Sequence, residues 1–241
     1  MVRKYKKKPF YEASKIPQDQ VFKVIASYTM GQSARNCAES TNLSRQSVQN
    51  IYNAIGERIV WLLEGNFPTT NNKLGDFLNK FGDVSVFNTL LELMKEKSAH
   101  ILGLYGAEIT YEDYQNYRNE GKIKVDEDRD EAETNTTRFF RYRLFQLLTR
   151  LSEKNYGIKE AHYKKHYAFC RIYFMVKTLM ITILKNEMEQ TGKSHADFHK
   201  NLLSQVTDDT KKAKLETMIF EAKCNMVLSM LLIFSLYEQA L

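Results

Sequence analysis

Apolar residues of the segment QDQVFKVIASYTM (18–30) fall on one face of a helix. Positions 21, 22, 24, 25 and 28 carry them, at the three- and four-residue spacing of an amphipathic helix. Gly31 then ends this helix, because glycine is a common stop signal. A short second helix is expected over 33–40.

A polar break at positions 40–42 separates the second helix from a third. Asn42 suits a left-handed turn conformation, because its short polar side chain tolerates a positive φ better than most. Ser44 can cap a new helix by accepting a backbone N–H bond. Within that helix Val48 and Ile51 face inward. This order predicts a helix-turn-helix unit.

Amide and basic side chains crowd the outward face at the start of the third helix. In helix-turn-helix proteins this end enters the DNA major groove, where Gln and Asn can pair with adenine and Arg with guanine. The predicted base-reading residues are Arg45, Gln46, Gln49, Asn50 and Asn53. The alternative is that they form merely the polar face of a surface helix in an all-helical bundle.

The positive charge of the chain is concentrated at its N-terminus. Residues 1–60 hold ten Lys and Arg and four Asp and Glu, whereas residues 61–241 hold 25 of each sign. The whole excess of +6 therefore lies in the segment with the helix-turn-helix pattern, as a phosphate-binding surface requires. We expect phosphate contacts from a basic arm and from the starts of the two helices. These residues are Arg3, Lys4, Lys6, Lys7, Lys8, Ser33, Arg35, Ser44 and Ser47.

Residues 31–52 match the pattern G-x-S-A-x-x-x-A-x-x-T-x-L-S-x-x-S-V-x-x-x-Y. The segment of about 45 residues around it resembles the N-terminal helix-turn-helix of insertion-sequence transposases. This resemblance implies a DNA-binding module. It does not imply transposase activity, because no cysteine of a zinc ribbon precedes Cys37 and no alternating strand pattern follows residue 60.

The remainder of the chain also has a helical composition. Only ten glycines and three prolines occur, and no proline follows Pro68, which favours an all-α protein. The turn-rich stretch 65–72 suggests a boundary between a DNA-binding domain with its basic arm (1–64) and a larger helical domain (65–241) for dimerisation, regulation or partner binding. Helices are expected near 73–82, 84–104, 110–120, 134–155, 158–190, 194–206 and 209–239.

The C-terminal helix is apolar nearly all round from Met226 to Tyr237. Such a helix is either the centre of the second domain or packs against its twin in a homodimer. No membrane span is expected, because the stretch 168–184 is interrupted by Arg171 and Lys177 and the stretch 227–237 is too short. Three scattered cysteines without a CxxC motif favour a reducing, cytoplasmic setting.

The segment 138–177 interleaves basic and aromatic residues. Its helical face with Arg143, Arg150 and Lys154 is a second phosphate-contacting surface, an anion-binding pocket, or a set of charges around an aromatic core. The His162/His166 and His195/His199 pairs have the i, i+4 spacing of metal ligands, but neither has further ligands beside it. We therefore expect no metal or cofactor.

These patterns predict a sequence-specific double-stranded DNA-binding protein, either a transcriptional regulator or a mobile-element accessory factor, that acts as a dimer and not as an enzyme. One alternative is an interaction or inhibitor protein, in which the helical C-terminal domain binds a protein partner and the N-terminal unit is autoregulatory. Another is a helical nuclease that uses a histidine pair and the acidic run 126–133.

Overall fold

A computed structural model of the chain describes residues 16–66, 84–103, 109–120, 135–153, 158–192 and 208–237. Within these ranges the chain forms eight α-helices and no strand, which confirms the all-α prediction. The helices are α1 (Gln18–Thr29), α2 (Ala34–Thr41), α3 (Arg45–Leu63), α4 (Val84–Gly103), α5 (Tyr111–Glu120), α6 (Asn135–Glu153), α7 (Glu160–Thr191) and α8 (Asp209–Tyr237).

The helix positions expected from hydrophobic spacing agree with the structure to within a few residues. The first helix ends at Thr29, and Gly31 follows it with a positive φ of 71°. The helices expected over 73–82 and 194–206, and the acidic run 126–133, lie outside the described residues.

Helix α7 is the centre of the fold, with α3, α4, α6 and α8 all packed against it. Helix α1 packs mainly on α8. One continuous hydrophobic core therefore joins the N-terminal three helices to the rest of the described chain.

The apolar faces of α1 and α3 enter this core through residues at helical spacing. Val24 and Ile25 on α1 are fully buried, as are Ile55 and Ile59 on α3. Burying a side chain of this size stabilises the fold by about 1.5–3 kcal/mol. The helix-turn-helix is thus stabilised by the same core as the C-terminal helices.

Three specific contacts fix the N-terminal helices on α7 and α8. The hydroxyls of Thr29 and Ser229 form a buried hydrogen bond of 2.8 Å. The rings of Tyr28 and Phe169 meet edge to face, with centroids 5.3 Å apart. Lys165 on α7 forms an ion pair of 3.6 Å with Glu57 on α3.

Gly56 of α3 is buried against the side chain of Lys165 of α7, and this position offers a test of the packing. A Cβ added there would lie 3.0 Å from Lys165 Cδ and 3.3 Å from Cγ. We expect Gly56→Ala to change the free energy of unfolding by no more than about 1 kcal/mol, because the helix propensity of alanine offsets the shift of a flexible lysine. Gly56→Leu should destabilise the protein by about 1–3 kcal/mol, because it separates the helices. Urea denaturation measures both, and equal effects of the two substitutions would contradict this packing.

A tyrosine cluster holds the beginning of α7 in place. Tyr163 donates a hydrogen bond of 2.8 Å from its hydroxyl to the carbonyl oxygen of Ile109, and Tyr111 donates one of 3.2 Å to the carbonyl oxygen of Ile158. The amide of Ile158 donates to the hydroxyl of Tyr114 at 3.3 Å. These bonds fix the N-terminal turns of α7, which lie beside the helix-turn-helix.

Two helices, α7 and α8, are long and apolar enough to cross a membrane by length and composition alone. However, 56% and 61% of their most apolar windows are buried inside the fold, as in the core helices of a globular protein. In α8 the entire stretch 227–236 is buried within one chain. That burial matches the central-helix role, and dimerisation stays a prediction.

Candidate nucleic-acid interface

The connection between α2 and α3 has the geometry expected of a helix-turn-helix. Asn42 adopts the left-handed conformation with φ 55° and ψ 26°, as predicted for this position. Ser44 caps α3 by accepting a hydrogen bond of 3.0 Å from the amide of Ser47. Val48 and Ile51 are buried, so the first turns of α3 have one face in the core and one in solvent.

The solvent face of α3 begins with three of the predicted base-reading residues. Arg45, Gln46 and Asn50 are exposed. The amide nitrogen of Gln46 donates a hydrogen bond of 2.9 Å to the side-chain oxygen of Asn50. This bond joins side chains one turn apart, and Gln46 and Asn50 therefore form a pre-arranged pair of amides.

The other two predicted residues, Gln49 and Asn53, are half-buried and face α7. Together with Arg45 they line a groove of about 510 Å³ between the helix-turn-helix and α7. On the opposite wall lie His162, Lys165, His166 and Phe169. The predicted residues are therefore close together but lie on two adjoining faces of α3.

The α7 side of this groove was not predicted from the sequence as part of the interface. The sequence shows the basic run Lys164-Lys165-His166, but it does not show which other helix this run faces. The structure brings it next to α3 through the close approach at Gly56. We name the surface formed by the exposed start of α3 and this groove the α3–α7 surface.

Two of the three hydroxyl residues predicted to contact phosphates, Ser33 and Ser44, already serve as helix caps. Ser33 accepts a hydrogen bond of 3.2 Å from the amide of Asn36, and the hydroxyls of Ser44 and Ser47 lie 2.8 Å apart. Because a hydroxyl can donate one bond and accept two, one proton of the Ser44–Ser47 pair is still available to a phosphate oxygen.

The positive excess of the N-terminal segment lies mostly before the helix-turn-helix and not within it. Residues 16–60 hold four Lys and Arg against three Asp and Glu, and residues 1–15 hold six against one. Arg35 pairs with Glu39 at 3.2 Å, with both side chains exposed. The arm residues Arg3, Lys4, Lys6, Lys7 and Lys8 lie outside the described residues. Most of the excess is thus in residues 1–15, and in the described lining of the groove α7 adds Lys165, which forms an ion pair with Glu57 at 3.6 Å.

His166 differs from an ordinary surface histidine. Its pKa is lowered from the usual value, first because burial disfavours the charged imidazolium and second because His162 is one turn away. The groove also contains Arg45 and Lys165, so a proton on His166 adds to existing positive charge. An anion bound in the groove would favour the charged imidazolium and so raise the pKa of His166.

Neither of the other sequence-derived sites is complete in the described part of the chain. Across those residues no group of three or more His, Cys, Asp or Glu could hold a metal ion, and His195 and His199 lie outside them. On the second basic surface Arg143 is exposed, and its guanidinium donates a hydrogen bond of 3.3 Å to Gln146. Lys154 and the side chain of Arg150 lie outside the description.

Comparisons with known proteins return no relative. No family model matches the chain, and neither a curated protein nor a solved structure shows significant similarity to it. The resemblance to transposase helix-turn-helix units stays a prediction from the pattern in residues 31–52.

Proposed function

We propose that this protein binds double-stranded DNA in a sequence-specific manner, as a transcriptional regulator or a mobile-element accessory factor. One observation carries the proposal. The capped start of α3 presents Arg45, Gln46 and Asn50 to solvent directly after a helix-turn-helix turn. These three residue types are the ones that make paired hydrogen bonds to base edges.

The dimensions of the surface suit the major groove. An α-helix is about 10–12 Å across with its side chains, and the major groove of B-DNA is about 12 Å wide, so the exposed start of α3 can enter it. Across the groove from these residues α7 presents His162, Lys165 and His166, where the sugar-phosphate backbone would run in this arrangement. In this arrangement α3 reads bases, and His162 and Lys165 contact phosphates.

A dimer is proposed on weaker grounds, from the general use of paired half-sites by helix-turn-helix proteins. Since the stretch 227–236 is buried within one chain, contacts between two copies of α8 would use its exposed residues. Met218 and Met226 are 58% and 56% exposed and are the large apolar side chains of α8 that face solvent.

The test is selection of binding sites from a random duplex pool by the intact protein, followed by titration of the selected and scrambled duplexes at two salt concentrations. We expect the selected duplex to bind at least about 10³-fold more tightly than the scrambled one. An inverted repeat in the selected site would support the dimer. Equal affinity for both duplexes, or no binding, would remove the proposal and favour a protein partner.

A pH dependence of DNA affinity follows from the state of His166. Its lowered pKa means that the free protein is largely unprotonated there at neutral pH, whereas nearby phosphates would favour the imidazolium. Proton uptake on binding should strengthen DNA affinity as the pH falls through the pKa that His166 has in the complex, by up to about tenfold per pH unit for one proton. Fluorescence anisotropy from pH 7.5 to 5.5 at constant salt measures this.

His166→Gln should flatten this pH profile, and His100→Gln, on the exposed part of α4, should leave it unchanged. The free protein must be checked by circular dichroism over the same range. A histidine held neutral in the fold lowers stability once the pH falls below its unfolded pKa. A profile that is unchanged in His166→Gln would exclude His166 from the interface.

A further inference from the structure

A second cleft lies beside the α3–α7 surface and has a different character. Its volume is about 790 Å³, within the range of pockets for small organic molecules. It is enclosed by the end of α1 and by α6, α7 and α8. Gly31 and Phe169 line both this cleft and the groove beside α3, so they separate the two cavities.

One part of the cleft is apolar. Phe140 and Phe174 meet edge to face in its wall, with ring centroids 6.0 Å apart. Ile181 and Met30 also line it, although they are 42% and 52% exposed. Large apolar side chains left in water around a concave surface are typical of binding sites.

The other part of the cleft is positively charged. Arg143, Lys177 and Lys185 line it, and among the described residues of the lining the only carboxylate is Glu221. Glu221 lies 3.6 Å from Lys177, so the acid is already paired. The described lining therefore holds three cations and one carboxylate beside an apolar wall, and a charge-assisted hydrogen bond from such a cation to an anion is about twice as strong as a neutral one.

The lining of the cleft also contains a buried hydrogen-bond acceptor that lacks a donor. The side-chain oxygen of Asn225, on α8, is buried and has no hydrogen-bond donor within the part of the chain that the structure describes. Buried acceptors are normally satisfied. A water molecule enclosed with the ligand, or a hydroxyl group on the body of the ligand, satisfies this one.

We propose that the cleft binds a small amphipathic anion, a carboxylic acid with an aliphatic or aromatic body, and that its occupancy changes the affinity for DNA. The carboxylate contacts Arg143 and Lys185, and the apolar body lies against Phe140, Phe174 and Ile181. The binding part of this proposal is independent of the proposed function, and the coupling part rests on it.

The route of coupling is short. The cleft touches Thr29, Met30 and Gly31, the turn that leads from α1 into α2. Gly31 has φ 71° and donates an amide hydrogen bond of 2.9 Å to the carbonyl of Tyr28. A molecule bound against this turn shifts the start of α2. Because α2 packs on α3, this shift also changes the orientation of α3.

The test uses the intact protein and decanoate as the probe, read by displacement of the anionic dye 8-anilinonaphthalene-1-sulfonate. Decyltrimethylammonium, which has the same chain and the opposite charge, is the matched probe. We expect decanoate to displace the dye and the cation not to. Ile181→Glu and Lys185→Glu should each weaken decanoate binding by about tenfold or more. Ala99→Glu and Lys95→Glu, exposed on α4 outside the cleft, are the matched control variants.

Equal displacement by the cation, or equal weakening by the control variants, would overturn the site. The coupling is measured separately, as the affinity for the selected duplex with and without saturating decanoate, and a change of about fivefold or more is expected. Unchanged DNA affinity with intact decanoate binding would overturn the coupling alone. Failure to bind any DNA would overturn the proposed function and the coupling and leave the binding site supported.

Discussion

Simultaneous replacement of Gln46 and Asn50 by alanine is expected to remove most of the preference for the selected DNA sequence. Both side chains are exposed and hydrogen-bonded to each other at 2.9 Å, so both would face the DNA in the proposed complex. Each paired contact to a base edge contributes about 1–3 kcal/mol of discrimination. The double variant should therefore lose about 30-fold or more in the ratio of selected to scrambled affinity.

The dependence on salt concentration should be unaffected in this variant, because neither residue is charged. The logarithm of the binding constant falls with the logarithm of the salt concentration in proportion to the number of phosphates contacted. Lys165→Gln gives the opposite pattern, in which affinity for all sequences falls and the slope decreases by about one. Anisotropy titrations of both duplexes at several salt concentrations separate the two effects.

The chain offers a matched control for the amide pair. Asn186 and Gln190 are also exposed and one turn apart, but they lie near the end of α7, about 30 Å along that helix from Lys165. Asn186→Ala/Gln190→Ala should preserve both the preference and the slope. A loss of preference in this control, or full preference in Gln46→Ala/Asn50→Ala, would contradict base reading by α3.

What the sequence predicted well depends on short-range interactions. The turn at Asn42 and the cap at Ser44 are decided by residues within four positions, and the structure has both. The helices follow from spacing for the same reason. The exposed position of Gln46 and Asn50 then follows from the burial of Val48 and Ile51 on the same helix.

What the sequence did not predict depends on long-range packing. His162 and Lys165 are more than a hundred residues from Gln49, and only the close approach of α7 at Gly56 places them in one groove. The i, i+4 spacing of His162 and His166 indicates only that both lie on one face of a helix, which is equally compatible with a metal site. No local pattern determines which helix face lies opposite α3, so this half of the surface had to come from the structure.

A fragment of residues 1–66 is expected not to fold as a stable domain, although the composition suggested a boundary near residue 64. Its helices α1 and α3 use their apolar faces to pack on α8 and α7. Without them, fully buried side chains such as Val24, Ile55 and Ile59 would be partly exposed. Losing even two such burials costs about 3–6 kcal/mol, comparable to the whole stability of a small domain.

The measurement is thermal unfolding of this fragment by circular dichroism, together with titration against the selected duplex. We expect a broad, non-cooperative transition and loss of sequence preference, with residual salt-sensitive binding from the six basic residues of segment 1–15. The chain of residues 16–241 is the matched control, because it keeps the core and removes only the arm. It should unfold cooperatively and keep its preference while losing affinity for all sequences. A cooperative transition with intact preference in the 1–66 fragment would show instead that the helix-turn-helix is autonomous, and that its contacts with α7 and α8 serve regulation and not stability.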